Sequence, residues 1–376
     1  MNHVIKGIPF VLALIYALVT TECVKKNTPA VVNPPIDTSY TGPVYGDTVI
    51  LAYSLQADSG AALKGYPKLQ SLHSVYTGTF DFNNLVRCPL LTHLYLEADT
   101  FVNLSEISRL TRLTYLYLSG FCADPGLPGF SALVNLDTLT LYGLHATTDL
   151  SALASLPNLE ILSLTALPIV SLPAFTAANG SHLRQVVLFN CVRLKDITGL
   201  KQCGNLDSLW LQNCGVSDSL IPQMPSVRYL TVVACSSVTS IQFLAQMTNL
   251  EYLTINGPIS DWSPLAKLVN LEYLDIGGIT DLTPLDSLTK LATLNLGDWQ
   301  LGGCPAVSDI SCIANLSNIS YLSIKNTAVT NFLPLLTIMN SGDTVWVTWG
   351  DQNVVDSLLK ANNIDAVTGA SMPWNQ

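Results

Sequence analysis

The sequence has little charge. Only 12% of its 376 residues are Asp, Glu, Lys or Arg, the formal net charge is −10, and no run of Lys and Arg occurs. A surface that binds nucleic acid needs clustered positive charge to neutralise phosphates. The composition therefore excludes nucleic acid as the expected partner. The 49% hydrophobic content excludes disorder over most of the chain.

The motifs of common catalytic and metal sites are also missing. The sequence contains no C-x-x-C pair, no H-E-x-x-H motif, no serine nucleophile elbow and no glycine-rich phosphate loop. The histidines are scattered over separate parts of the chain without the spacing of metal ligands: His3, His73, His93, His145 and His182. We therefore predict a protein that is not an enzyme and that has no cofactor and no metal ion.

No apolar run is long enough to cross a membrane. The run at residues 8–19 follows Lys6 and is shorter than the roughly twenty apolar residues that a spanning helix needs. A run of this length after a basic residue is typical of a secretory signal. Residues 1–22 are therefore predicted to be a signal peptide, and the protein is predicted to be exported.

Cys23 directly follows the predicted signal peptide. This layout resembles bacterial lipoproteins, in which the cysteine after the signal is lipidated, although Thr20, Thr21 and Glu22 depart from the Leu and small residues of that family. The resemblance implies a lipid anchor at Cys23 and a place at the bacterial cell surface or outer membrane. The alternative is an ordinary cleaved signal and a secreted protein. Residues 23–44 are rich in proline and predict a flexible tether.

A pattern of leucines recurs along the rest of the chain. Leu250, Leu253 and Ile255 have the spacing 0, +3 and +5, and this spacing returns about every 23 residues. Ser74 replaces the third apolar residue of the first unit, and residues 301–307 form an insertion in the eleventh. The units begin at Leu69, Leu91, Leu113, Leu136, Leu159, Leu183, Leu206, Val227, Leu250, Leu271, Leu291 and Ile319.

These units resemble bacterial leucine-rich repeats of the short, internalin-like type. The resemblance rests on Leu271-x-x-Leu274-x-Ile276 and on the following segment, residues 279–288 (ITDLTPLDSL). It implies an α/β repeat solenoid, a horseshoe with a parallel sheet on the concave face and short helices or turns on the convex face. The repeats are predicted to span residues 67–340. One unit buries little surface alone, whereas stacked units bury a continuous core.

Both ends of the array need a cover. Residues 45–66 are predicted to be an N-terminal cap with a strand at residues 48–54, and residues 341–376 a C-terminal cap. The second cap is predicted to contain a strand at residues 343–349 and a helix at residues 353–362. Within the convex turns, Ser263 is expected to cap a short helix whose first residue is Pro264.

Three of the nine cysteines fall at the same position of consecutive units. Cys191, Cys214 and Cys235 lie at +8, where a buried thiol is expected to hydrogen-bond the backbone in a ladder along the solenoid. Disulfides between ladder neighbours stay an open alternative. Cys304 lies in the insertion and Cys312 shortly after it, and they are the pair expected to form a disulfide in an oxidising compartment, with free thiols as the alternative.

Positions +2, +4 and +6 of each unit are predicted to face outward on the concave side, because +3 and +5 face the core. Aromatic side chains on such a face favour binding of a protein or peptide, and glycan binding by the same rings is the alternative. A third interpretation is that Tyr and Thr simply suit exposed strands. The sequence leaves the oligomeric state open. The predicted ligand-binding residues are Tyr95, Tyr115, Tyr117, Tyr142, Phe189, Trp210, Tyr229, Tyr252, Tyr273, Asp275 and Tyr321.

Overall fold

The computed structural model describes residues 49–52, 61–296, 302–348 and 350–371. All of these residues belong to one compact unit, residues 35–376. The predicted signal peptide, the tether and Cys23 lie outside the described residues, so the predictions for them stay predictions.

One parallel sheet of fifteen strands runs through the described residues, and the strands follow each other in sequence order. Each strand pairs in parallel with the strand before it and the strand after it, as expected when a strand and its return segment repeat along the chain. The strands are β1 Val49–Ala52, β2 Ser71–Asp81, β3 His93–Val102, β4 Tyr115–Cys122, β5 Thr138–Tyr142, β6 Ile161–Thr165, β7 Gln185–Phe189, β8 Ser208–Gln212, β9 Tyr229–Val233, β10 Tyr252–Asn256, β11 Tyr273–Gly277, β12 Thr293–Asn295, β13 Tyr321–Ser323, β14 Thr344–Thr348 and β15 Val367–Ser371.

The predicted register is confirmed. Each of the strands β2 to β13 begins two residues after the first apolar residue of its unit. The +3 and +5 side chains, such as Leu253 and Ile255 in β10, are fully buried, and equivalent residues of neighbouring strands lie directly opposite each other. A continuous core therefore runs along the array between the sheet and the return segments.

The return segments contain short helices, as predicted for the convex side. Among the described residues, three are α-helices, which we number α1 Ala177–Gly180, α2 Leu335–Ile338 and α3 Gln352–Ala361. The others are 3₁₀ helices at Ala61–Gly65, Phe82–Leu85, Leu104–Arg109, Phe130–Ala132, Ser151–Ser155, Thr198–Gln202, Asp218–Leu220, Gln242–Gln246, Ser263–Lys267, Thr283–Leu285 and Ser311–Asn315. No helix in the described ranges is long and apolar enough to cross a membrane.

The prediction that Ser263 caps its helix was wrong. Ser263 is the first residue of the 3₁₀ helix, and its backbone N–H donates to Oδ1 of Asp261 at 2.9 Å. Asp281 accepts from the backbone N–H of Thr283 in the same way. An Asp two residues before the helix suits this role because its carboxylate accepts from an N–H that has no partner inside the helix.

A ladder of asparagines, which the sequence interpretation missed, joins neighbouring units. These asparagines occupy the position just before the first apolar residue of a unit, and each Nδ2 donates to a backbone carbonyl of the preceding unit. Asn270, for example, donates to the carbonyl oxygen of Thr248 at 2.9 Å. The ladder residues are Asn135, Asn158, Asn205, Asn249, Asn270 and Asn318. They satisfy carbonyl groups at the points where the chain turns into the sheet.

The cysteine ladder is present, and its thiols are free. The Sγ of Cys214 donates to the carbonyl oxygen of Leu188 at 3.4 Å, and Cys191 and Cys235 make the equivalent bond to their preceding units. Burial raises the pKa of the Cys214 thiol to about 12, so the thiol keeps the proton that it donates.

The predicted Cys304–Cys312 disulfide is not formed. Cys304 instead joins the ladder, because its Sγ donates to the carbonyl oxygen of Ile276 at 3.3 Å. The insertion moves this cysteine away from +8 in the sequence, yet its side chain takes the same place in the fold. Cys312 lies on the 3₁₀ helix Ser311–Asn315, where burial raises its pKa to about 11.

The strand exits use a left-handed backbone at position +7. Asn190, Asn213, Ala166 and Ala234 all have φ between 52° and 55°. Asn213 donates its backbone N–H to the carbonyl oxygen of Val233 in the next unit at 2.9 Å. Asparagine adopts this conformation readily and alanine does not, so Ala166 and Ala234 are strained.

Substituting Ala234 with glycine is expected to stabilise the protein by about 0.5–1 kcal/mol, because glycine has no Cβ to oppose a φ of 54°. The check is the midpoint of urea unfolding. The matched control is Ala266→Gly in the 3₁₀ helix Ser263–Lys267, where glycine loses backbone entropy without relieving strain and is expected to destabilise. A lower midpoint for Ala234→Gly would contradict the assignment of strain.

The C-terminal end matches the predicted strand and helix, with one strand more than predicted. β14 and α3 occur within two residues of the expected positions. β15 then pairs along β14, so β14 is not the last strand of the sheet. The sequence interpretation missed β15 because Gly369 and Ala370 give it little strand character.

Candidate ligand-binding face

The concave face, as we use the term, consists of the side chains at +2, +4 and +6 of strands β2 to β13. Along β10 the exposure alternates: Leu253 and Ile255 are buried, and Tyr252, Thr254 and Asn256 between them are half-buried. The same alternation holds along β6 and β8. The predicted aromatic residues therefore lie on this face, and only their use as a binding site stays a prediction.

At the N-terminal end, three +4 rings stack on one another. The ring centroids of His73 and Tyr95 are 4.0 Å apart with an angle of 6° between the planes, and those of Tyr95 and Tyr117 are 4.1 Å apart at 7°. The Tyr95 hydroxyl donates to Glu97. Burial and this bond to a carboxylate raise the pKa of Tyr95, which therefore stays neutral.

A second row lies beside this stack at +2. The rings of His93 and Tyr115 are 6.2 Å apart and nearly parallel, and burial raises the pKa of Tyr115 to about 12 and lowers that of His93. Tyr142, at +6 of the next unit, is 48% exposed. We call Tyr95, Tyr115, Tyr117 and Tyr142 the N-terminal patch.

Strands β2 to β4 are longer than the others and widen the face beside this patch. They contain 11, 10 and 8 residues, whereas β5 to β11 contain five each. The register shifts between Glu97 and Thr100, and beyond the shift Cys122 faces the core and Phe121 faces out with 41% exposure. Phe121 stands at +8, a core position elsewhere, so the sequence pattern hid it.

Toward the C-terminal end, three +2 tyrosines form a column. The ring centroids of Tyr252 and Tyr273 are 3.8 Å apart, and the ring planes are stacked with an angle of 7° between them. The ring centroids of Tyr229 and Tyr252 are 6.1 Å apart, with an angle of 37° between the planes. Tyr229 is 39% exposed, and the other two are half-buried. Burial raises the pKa of the Tyr252 phenol, so this ring stays neutral. We call these three residues the C-terminal column.

Arg228 contacts Tyr229, the most exposed tyrosine of the column. Its Nε and Nη2 donate to the two carboxylate oxygens of Glu251 at 2.9 and 2.6 Å, and Nη1 lies 3.7 Å from Asp207. The same guanidinium lies 5.2 Å from the ring centroid of Tyr229. These bonds lower the pKa of Glu251. A two-bond pair of this geometry fixes a surface side chain better than a single ion pair does.

Phe189 and Trp210 lie between the two groups. Both are half-buried, and the indole Nε1 of Trp210 donates to Oε1 of Gln212 at 3.2 Å. The sequence placed them between the patches, and their positions agree with that interpretation. Trp210 lies on β8, the strand paired with β9 of the C-terminal column, and stands opposite Val187 and Thr231.

Asp275 was predicted to be an exposed charge on this face, and that prediction was wrong. Its side chain is only 3% exposed, a smaller fraction than for the half-buried Tyr252 and Tyr273, although it occupies an outward +4 position. Neighbouring large rings can cover a short side chain that points toward solvent. Tyr321 begins β13 and is half-buried opposite Thr293 and Thr344.

Trp346 is an aromatic residue of the same row that the sequence interpretation assigned only to the cap. It lies opposite Ser323 and thus continues the +4 row, and the Nζ of Lys325 stands 4.3 Å from its ring centroid. A Cβ added at Gly369 would stand 2.7 Å from the indole. Trp346 therefore lies flat against Gly369, which must lack a side chain.

This arrangement offers rings and hydroxyls rather than reactive groups. Among the described residues, no three His, Cys, Asp or Glu side chains come together in a way that would hold a metal ion. Rigid, neutral aromatic groups suit recognition by burial of surface.

The repeat array is similar to solved receptor and internalin structures. A TDR receptor is 17% identical over 85% of this chain and 59% of that chain, with a TM-score of 0.55. The chain is a leucine-rich-repeat solenoid. An internalin (inlF) from Listeria monocytogenes is 22% identical over 82% of this chain and 77% of that one (TM-score 0.43). The functional domain of InlJ from Listeria monocytogenes is 17% identical over 76% of this chain and 70% of that chain, with a TM-score of 0.47.

A curated relative matches part of the leucine-rich-repeat solenoid. The disease resistance protein RRS1 of Arabidopsis thaliana is 29% identical over 156 residues, which are 39% of this chain and 11% of that protein. The chain thus spans a small part of that relative, and no family model matches it. The similarity to the TDR receptor, together with the sheet topology, establishes the fold, and the function is argued from the face itself.

Proposed function

We propose that the protein is an exported, surface-anchored leucine-rich-repeat protein that recognises a protein or peptide through its concave face. The observation that carries the proposal is the ordered packing of aromatic rings in the N-terminal patch and the C-terminal column. Exposed aromatic groups of this extent mark interaction sites more often than they occur on inert surfaces.

The proposed mechanism is burial of rings that are already fixed in place. Tyr95 is held by rings on both sides and by its bond to Glu97. Tyr252 lies between Tyr229 and Tyr273, on a sheet whose strands are paired on both sides. Little side-chain entropy remains to be lost when a partner covers these rings, so most of the buried area contributes to affinity.

Ring packing favours a protein or peptide over a glycan. Sugar rings stack on open aromatic faces, and in both stacks the inner ring faces are already covered by neighbouring rings at about 4 Å. What remains accessible is the ring edges, since the hydroxyl group of Tyr252 is itself buried. A glycan array with the full chain is therefore expected to give no ligand that depends on Tyr252.

The anchor is proposed at Cys23, on its position directly after the predicted signal peptide. When the full chain is expressed in bacteria with a labelled fatty-acid analogue, the protein is expected to carry the label and Cys23→Ser to lose it. Label retained by Cys23→Ser would reject lipidation at this residue. A protein that carries no label at all would indicate the ordinary cleaved signal.

Replacing Tyr252 with alanine is expected to weaken binding of a captured protein partner by about thirtyfold or more, the effect of losing a buried aromatic hot spot. The partner is first captured from cell extracts by the full chain, and the affinities are then measured by surface plasmon resonance. Val192→Ala, at a 60% exposed apolar residue outside the strands, is the control and is expected to leave affinity unchanged. Unchanged binding after Tyr229, Tyr252 and Tyr273 are all replaced with alanine would reject the C-terminal column as a site.

A further inference from the structure

We infer that the ligand is one extended peptide segment that crosses strands β5 to β8 and contacts both the N-terminal patch and the C-terminal column. This inference rests on the proposed function and adds the form, the length and the chemistry of the ligand. Three properties of the face support it: the separation of the two groups, the neutral surface between them, and the orientation of their rings.

The separation fits a short extended segment. Tyr117 lies on β4 and Tyr229 on β9, five strand steps apart in an unbroken sheet. Parallel strands are about 4.8 Å apart, so Tyr117 and Tyr229 are separated by about 24 Å. An extended peptide advances about 3.3 Å per residue. Two anchor side chains of one peptide would therefore be about seven residues apart.

The outward side chains of the strands between the two groups carry no charge. Every residue at +2, +4 and +6 of β5 to β10 is uncharged, in a chain whose formal net charge is −10. Thr140, Ser163 and Gln185 supply hydroxyl and amide groups that suit the backbone of a peptide. A charged ligand residue covered there would lose water without gaining an ionic partner, so the segment between the anchors must be uncharged.

This part of the face is also less exposed than the two groups. The outward side chains of β6 to β8 are all half-buried or buried, Phe189 and Trp210 among them. Tyr142 and Tyr229, on either side, are 48% and 39% exposed. A thin segment that lies between Tyr142 and Tyr229 contacts this covered surface, whereas a broad rigid surface would rest on the two exposed rings.

The rings define the anchors of the ligand. Because Tyr95 and Tyr252 each have a neighbouring ring at 4.1 Å or less on at least one face, they present their edges to the ligand. Ring edges are electropositive and pack best against the face of another aromatic ring. The carboxylates beside the two groups already have partners, because Glu97 accepts from the Tyr95 hydroxyl and Glu251 accepts from Arg228. The two anchors are therefore aromatic side chains rather than basic or acidic ones.

The test is selection of binding peptides by the full chain from a displayed library of random peptides of about twelve residues. The selected peptides are expected to share two aromatic residues about seven positions apart with no charged residue between them. Tyr117→Ala and Tyr252→Ala are each expected to lower affinity about tenfold or more, since each removes one anchor contact. Tyr117→Phe and Tyr252→Phe keep the stacks and report on the hydroxyl groups alone.

A charge placed on the neutral surface gives an independent check. Ser163→Glu is expected to lower the affinity for the selected peptides about tenfold or more. A lysine in the middle of the peptide is expected to restore that affinity. Ser155→Glu, on the convex 3₁₀ helix Ser151–Ser155, is the matched control and is expected to have no effect.

The outcomes separate this inference from the proposed function. Peptides that depend on Tyr117 or on Tyr252 alone would overturn the bridging segment and leave the concave face as the binding site. Selection of no peptide would overturn the inference, while the capture of a folded partner that depends on Tyr252 would still support the proposed function. Peptides that bind regardless of both tyrosines would overturn both.

Discussion

Replacing Gly120 with alanine is expected to lower the free energy of unfolding of the N-terminal repeats by about 3–5 kcal/mol. Gly120 lies in β4 with φ at +153°, and a Cβ built there stands only 2.0 Å from the carbonyl oxygen of Ala98. That oxygen belongs to the neighbouring strand β3, so no side-chain rotation relieves the clash. The two strands must separate beside the register shift that lets them continue past residue 97.

Hydrogen exchange followed by mass spectrometry is the appropriate measurement, because a repeat array can lose structure at one end and keep it at the other. Peptides from β2 to β5 are expected to lose protection in Gly120→Ala, and peptides from β9 to β11 are expected to keep it. Gly126→Ala, where nothing lies within 4 Å of the added Cβ, is the control and should change stability by less than about 1 kcal/mol. Equal protection in Gly120→Ala and the natural protein would show that the strands adjust without cost.

Replacing Leu274 with alanine is expected to destabilise the central repeats by about 2–5 kcal/mol. The Leu274 side chain is fully buried in β11, and it lies opposite Leu253 of β10 and Leu294 of β12. Alanine would leave a cavity between three units. Because each unit is stabilised only by its neighbours, the weakened contact is shared by both sides of the array.

The matched control is Leu333→Ala, the same change at a side chain that is 60% exposed. It is expected to alter stability by less than about 0.5 kcal/mol. Urea unfolding followed by circular dichroism gives the size of the effect, and hydrogen exchange at β10 to β12 gives its location. A cost for Leu274→Ala no greater than that for Leu333→Ala would mean that the core of the solenoid collapses around the lost side chain.

The regular part of the fold was predictable because one physical rule repeats. The side chains at +3 and +5 can both face the core only if this segment is a strand. Leu253, Leu274 and Leu294 then lie opposite one another because every unit packs in the same way. The cysteine ladder followed for the same reason. The identity of the outward residues, including Tyr252 and Tyr273, came from the register alone.

The departures arose where a local feature interrupts that rule. The register shift in β2 to β4 reverses the faces, which turned Phe121 outward at a position that is otherwise core. Asp275 kept its predicted position on the strand, yet its side chain is buried, because a one-dimensional pattern contains no information on how neighbouring side chains cover one another. Trp346 joined the face because β14 continues the sheet as an ordinary strand rather than closing it.

The alternation of inward and outward side chains in strands such as β10 also has an evolutionary consequence. Inward side chains such as Leu253 are constrained by two neighbouring units, whereas the adjacent outward Thr254 has no part in that packing. Mutations can therefore accumulate on the outward positions while the scaffold is preserved. Duplication of a unit that contains an outward tyrosine would place the new ring directly over the old one, as Tyr252 lies over Tyr273. The recognition surface of this protein can thus change or lengthen by whole units without any redesign of its interior.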